Sequence, residues 1–192
     1  MKTQTIFFIG KPGCGKGDQA RLLSEKTGWK ILSAGDELRA MREEDTPVWR
    51  KVKSEMDAGR LLPHWFASYL FLKDFFSLPD NTSMIFDGFN RQISEAEIIM
   101  ESLSWLGRSF SFVYLNVSDD EIKHRLTLRK DVQGRADDSV VDERLREYRE
   151  NTEPVVEMFR KTGVLVEIDG ERARDPIAED IQKALGLPST GC

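Results

Sequence analysis

Short apolar runs alternate along the chain with longer stretches in which apolar residues recur three and four positions apart. Those are the signatures of buried strands and amphipathic helices. Ile6-Phe7-Phe8-Ile9, closing at Gly10, reads as the first strand, and Gln19-Ala20-Arg21-Leu22-Leu23 opens the first helix. Lys30-Ile31-Leu32 predicts a short second strand, and Ser83-Met84-Ile85-Phe86-Asp87 a buried one ending in an acid. Phe110 to Val117 is the strongest strand signal, and Val164 to Ile168 the last. Helices are predicted over about 36–44, about 47–58 with a stop at Gly59, and from Pro63 onward. The aromatics of that last helix (Trp65, Phe66, Tyr69, Phe75, Phe76) are expected to be mostly core. Ser94 and Glu97 are spaced as a capping box, Ser118 caps another helix, and one long helix is predicted over about 139–162. The final helix is expected over about 176–185. Strands alternating with helices imply a parallel sheet covered on both faces, whose ligands bind beyond the carboxyl ends of the strands. Gly10, Ser33, Asp87 and Val117 all stand at or just past such ends.

Composition narrows the partners. With 192 residues the chain fits one domain, and a net charge of −5 argues against a general binder of nucleic acid or membrane surfaces. An anionic ligand must therefore be held by locally placed cations. Two cysteines, Cys14 and Cys192, suggest a reducing compartment without a disulfide framework. No apolar run approaches the ~18 residues of a membrane span and no signal peptide is apparent, so a cytoplasmic protein is expected.

The chemistry concentrates between Ile6 and Gln19. Glycines at 10, 13, 15 and 17 surround Lys16 between a strand and a helix. In that context glycines let backbone N–H groups turn toward a phosphate, the helix N-terminus adds partial positive charge, and the lysine reaches the outer phosphates. Gly10-x4-Gly15-Lys16 fits the phosphate-loop spacing, although Gly17 stands where most such loops carry Ser or Thr.

The segments GKPGCGKGDQ, LSAGDELR, MDAGRLLP, FDGFNRQI, HRLTLR, GRADD, ERLREY and EIDG occur in that order over nearly the whole chain. Together they resemble the adenylate kinases and their nucleoside monophosphate kinase relatives, of the short-lid type. The resemblance implies an α/β fold of the P-loop NTP hydrolase-like kind, a five-stranded parallel sheet flanked by helices. It also implies a helical monophosphate-binding insertion at about 33–62 and a short lid at about 130–137. The implied reaction moves the γ-phosphoryl group of Mg-ATP to a nucleoside monophosphate, AMP first, in a monomeric enzyme. Positioning and charge neutralisation carry such a transfer, and arginine suits it because its planar fork pairs bidentately with phosphate. On the donor side the resemblance points to Gly13, Cys14, Gly15, Lys16, Gly17 and Asp18, with Arg125, Arg129 and Gly170 about the ATP base and phosphates. Arg125 and Arg129 are four apart, hence on one helix face. On the acceptor side it points to Ala34, Arg39, Arg60, Leu62, Gly88, Arg91 and Glu95, the loop through Gly59 acting by backbone contacts. Lys16, Arg91, Arg129, Arg135 and Arg144 would act on the transferring phosphate, while Asp137 and Asp138 would orient the lid. Asp87 would hold Mg²⁺ through water.

Several positions depart from the family pattern. Asp18 replaces a threonine that would donate to a donor phosphate. Two like charges ~4 Å apart at an effective dielectric of ~20 cost about 4 kcal/mol, so Asp18 either caps the first helical turn, takes the metal, or impairs ATP binding. The last outcome would leave a nucleotide-binding protein with weak or no transferase activity. Ala34 replaces a threonine near the acceptor base. Glu95 stands where the family reads adenine with glutamine, Gln92 lying three residues too early. A glutamate only accepts, which matches the N1–H and amine of guanine and makes GMP the alternative acceptor. Glu95 also sits in a first helical turn, where negative charge is favourable anyway. Asn90, in place of the usual proline, is expected to loosen its turn.

Overall fold

The computed structural model describes residues 4–41, 45–133 and 140–187, with backbone alone over 129–133. The predicted lid residues Arg135, Asp137 and Asp138, and the side chain of Arg129, lie outside that description, as does Cys192.

Five strands form one parallel sheet in the order β2-β3-β1-β4-β5. They are β1 (Gln4–Gly10), β2 (Lys30–Ser33), β3 (Met84–Asp87), β4 (Ser109–Asn116) and β5 (Leu165–Asp169). The chain builds first toward β3 and β2 and then, on the other side of β1, toward β4 and β5. Loops leaving the carboxyl ends of neighbouring strands therefore diverge, which opens a crevice there.

Period-two alternation divides the strand residues between two cores. Phe7, Ile9, Phe86, Phe112 and Tyr114 face α4 (His64–Phe75), α5 (Ile93–Trp105) and α8 (Glu153–Thr162). Ile6, Phe8, Ile85, Val113 and Leu115 face α1 (Lys16–Thr27), α6 (Asp119–Gln133) and α9 (Arg174–Ala184). The first core is aromatic: Phe7 stacks between Phe86 and Phe112, at ring-centroid separations of 5.0 and 4.9 Å. Beyond β2 the chain forms α2 (Ala34–Met41) and α3 (Pro47–Asp57), and Trp49 of α3 packs edge-on against Phe66 of α4.

Three expectations need correction. The long helix predicted over 139–162 is α7 (Val141–Glu147), a π-helical turn (Tyr148–Thr152) and α8. The α4 aromatics do not all enter the core: Trp65, Tyr69 and the neighbouring Phe76 are more than half exposed, because α4 is apolar nearly all round and only one side meets the sheet. Finally, α5 begins one residue before Ser94, with Gln92 as its N-cap and no side-chain capping bond from it, so Ser94 and Glu97 do not form the expected box and Glu95 serves the turn instead. Among the described residues no helix is long and apolar enough to cross a membrane.

Candidate active site

The phosphate loop is shaped by close approaches that exclude a side chain. A Cβ on Gly10 would stand 2.8 Å from the Leu115 carbonyl oxygen and 2.9 Å from Cys14 Sγ, and one on Gly13 would stand 2.8 Å from Leu126. Gly15 adopts a left-handed conformation (φ 99°) as the N-cap of α1 and offers no side-chain oxygen to the first turn. The amides of that turn thus keep their capacity for a ligand. Lys16 Nζ donates to the Gly10 and Lys11 carbonyls, both at 2.8 Å, which holds the ammonium over the mouth of the loop. Cys14 is buried beneath it, as expected of a residue that fills space.

Asp18 is exposed at the third position of α1 and ion-paired with Arg21, one turn ahead. It makes no capping hydrogen bond. The carboxylate is neutralised sideways along the helix rather than against the loop.

Arg125 of α6 ties three segments together. Its guanidinium donates to the Cys14 carbonyl at 3.3 Å, the Gly170 carbonyl at 2.8 Å and Glu121 at 2.6 Å. A Cβ on Gly170 would meet Val117 at 2.6 Å, so only glycine lets this loop lie against the end of β4. Arg125 and Gly170 thereby flank the same side of the phosphate loop.

The residues expected on the acceptor side meet across α2, the turn after β3, and α7. Arg39 pairs with Asp36 at 2.5 Å and lies over Gly35, where a Cβ would be 3.2 Å from both of its terminal nitrogens. Arg91 Nε donates to the Gly88 carbonyl at 2.9 Å, with Gly88 at φ +85°. Ala34 is buried at the start of α2, 3.6 Å from where a Gly88 Cβ would stand. Arg60 pairs at 2.5 Å with Glu55, whose carboxyl is pulled down to about 2 by Arg60 and then Lys51. Arg144 crosses the Gly59 turn, where a Cβ would be 3.2 Å from its γ-carbon.

Two cavities adjoin. A cleft of about 930 Å³ lies over the phosphate loop and Arg125. A smaller one of about 160 Å³ is lined by Leu38, Met56, Leu62, Phe89 and Gln92. Lys16, Arg39, Arg91 and Arg144 line both, and these four cations stand at the junction.

Asp87, the last residue of β3, faces that junction. Burial raises its carboxyl above the usual range, opposed by the Lys16 and Arg91 cations. Its Oδ1 is buried and meets no hydrogen-bond donor among the described residues, while Oδ2 would be 3.4 Å from a Cβ on Gly17. Such a carboxylate fits a hydrated Mg²⁺, a hard ion that keeps its waters and needs few protein ligands. Among the described residues no group of three His, Cys, Asp or Glu side chains could hold a metal alone.

Glu95 is fully buried, and its carboxylate is turned onto the backbone. Oε1 accepts the Asn90 N–H at 2.7 Å and Oε2 the Arg91 N–H at 3.0 Å. Burial raises its carboxyl, and these N–H groups oppose the rise. Asn90 does not loosen the turn as expected: it stands at φ +61°, completely buried, and supplies one of those donors. A proline could neither adopt that φ nor donate. The Arg91 carbonyl accepts from Thr152 of the π-helical turn at 3.0 Å, so the arginine's backbone is held from two sides. Gln92, set aside by spacing alone, lies in the smaller cavity and donates to the Leu62 carbonyl at 2.8 Å. Its three-residue spacing to Glu95 was the available signal.

The chain is similar to known proteins over nearly its whole length. The family model described as adenylate kinase matches residues 8–164. The adenylate kinase of Thermus thermophilus is 36% identical over 187 residues, covering 96% of this chain and 98% of the relative. That of Maricaulis maris is 34% identical over 183 residues, with 94% and 97% covered. The Bacteroides fragilis enzyme is 35% identical over 183 residues, with the same coverage. With the family model matched over most of the chain and relatives at 34–36% identity covered nearly end to end, the chain belongs to the adenylate kinase family of phosphotransferases.

Proposed function

We propose that this protein transfers the γ-phosphoryl group of Mg-ATP to AMP, giving two ADP. The observation that carries the reading is the set of four cations shared by two adjoining cavities. Lys16 and the phosphate-loop amides hold the donor phosphates, Arg39 and Arg91 hold the acceptor phosphate, and Arg144 faces the phosphate in transit. Bringing two polyanions together in this way supplies proximity and stabilises charge as it develops, which is most of what phosphoryl transfer requires. The attacking phosphate oxygen is already anionic, so no side chain need act as an obligate general base. Asp87 would hold Mg²⁺ through water, and the ion would supply neutralisation of donor phosphate charge. Arg129 and Arg135 close on the phosphate in transit, and Asp137 and Asp138 orient a short lid over about 130–137 that excludes water when it closes. The segment over about 33–62 moves with the acceptor.

Adenine is favoured over guanine by the orientation of Glu95. Both of its oxygens are engaged by backbone amides, so it does not present a free carboxylate to a guanine edge. Gln92, whose Nε2 is tied to Leu62, keeps its Oε1 for the exocyclic amine of adenine.

An ADP-production assay with Mg-ATP against AMP, GMP, CMP, UMP and dAMP, with water as the control acceptor, tests the reading. Turnover is expected with AMP and dAMP, close to the water background with the others. Turnover confined to GMP would make Glu95 the base reader and overturn the adenine assignment. ATP binding without transfer to any monophosphate would overturn the kinase reading itself.

A further inference from the structure

The acceptor-side helix α2 packs against α4, and two acids meet at that contact. Glu37 stands on α2 between Asp36 and Arg39, and its carboxyl is within hydrogen-bond reach of the Asp74 carboxyl on α4. Each acid has one oxygen, Glu37 Oε2 and Asp74 Oδ2, that is buried and meets no donor among the described residues. Two ionised carboxylates cannot share such a site, whereas one proton held between them satisfies both orphaned oxygens. Lys73, 3.6 Å from Asp74 Oδ1, lies alongside the pair and is largely exposed. Asp87, on the other element packed against α2, faces Asp36 and Arg39 instead.

We propose that a proton carried by Glu37 and donated to Asp74 forms a clasp that positions α2, and with it Arg39, for the acceptor phosphate. The inference rests on the assignment of Arg39 to the acceptor. Burial first, then the hydrogen bond and charge of Asp74, raise the Glu37 carboxyl to about 7, against a weaker opposing pull from Lys73. A carboxyl raised on folding contributes stability that is fully present below its ordinary value of 4.5 and is lost as pH rises through about 7. The clasp therefore closes in mildly acidic solution and opens in mildly alkaline solution. Falling pH thereby tightens the hold on the acceptor.

Steady-state kinetics across this range, with wild type, E37Q, E37A and R39A, separates the possibilities. The phosphate of AMP titrates equally for every variant, so the quantity read is the ratio of each KM to that of E37Q, whose carboxamide can donate to Asp74 at any pH. The wild-type ratio for AMP is expected to rise by up to about tenfold between about pH 6 and pH 8, the limit set by one linked proton. E37A should raise the AMP KM throughout, E37Q should restore it, and the KM for ATP should not move. The melting temperature of ligand-free wild type, relative to E37Q, should fall over the same interval. A wild-type ratio and melting difference both constant with pH would overturn the clasp, as would an E37A defect shared equally between AMP and ATP. A pH-dependent melting difference in a protein whose AMP KM is indifferent to R39A would keep the clasp and overturn the assignment of Arg39.

Discussion

Helices α1 and α5 each carry an acid at their third position, Asp18 and Glu95, and they are used in opposite ways. At α1 the N-cap is a glycine in the left-handed region, the acid is exposed, and Arg21 draws it aside. At α5 the acid is buried and turned back over the N-terminus onto two backbone N–H groups. The amides explain the difference. Those of the first α1 turn open onto a cleft, where water or a phosphate can satisfy them, and an acid turned back over them would compete with the ligand. In the turn before α5 the Asn90 amide is buried and the Arg91 amide partly so, and an internal acceptor has to satisfy them. An acid in a first helical turn is therefore not one signal but two, and burial of the turn decides which.

Glu95→Ala breaks this contrast most severely. It strands one buried and one partly buried N–H donor, at about 1–3 kcal/mol each, so a loss of roughly 3 kcal/mol and a fall in Tm of roughly 6–12 °C are expected in a thermal melt. A shift no larger than that of an exposed substitution would mean the carboxylate is not holding the turn. Asn90→Pro comes next, at about 2–3 kcal/mol, because it removes one donor and forbids the observed φ. Since Asn90 and Glu95 are partners, the double variant N90P/E95Q should cost less than the sum of its parts, by about 1 kcal/mol in denaturant titrations. Strict additivity would dissolve the pair. Asp18→Ala should be the mildest, about 0.5 kcal/mol or less for an exposed pair one turn apart. Asp18→Thr should leave kcat with AMP nearly unchanged, and a large gain from that threonine would show that Asp18 does repel the donor phosphates.

The sheet was legible because each buried strand of a parallel sheet is a continuous apolar run, and Phe110 to Val117 could hardly be anything else. The contents of the junction were legible through motif order, since Lys16, Arg39, Arg91 and Arg144 belong to four segments that the topology brings to one edge. What stayed hidden was direction. The spacing of Ser94 and Glu97 fits a capping box that α5 does not form, and the left-handed backbone at Asn90, which brings its amide onto Glu95, leaves no trace in composition. Periodicity put Trp65 and Tyr69 on a helix but not on its outer side. The meeting of Glu37 with Asp74 depends on how two helices cross, which no local pattern encodes.

The edge-on contact of Trp49 with Phe66 has an optical consequence. Of the four tryptophans, Trp65 and Trp105 are well exposed and should emit at long wavelength whatever the ligand state. Trp49 alone rides on α3 while its aromatic neighbour belongs to α4. Any swing of α3 against that helix must change how this indole is packed and hydrated, so its emission becomes a reporter of domain motion that needs no attached dye.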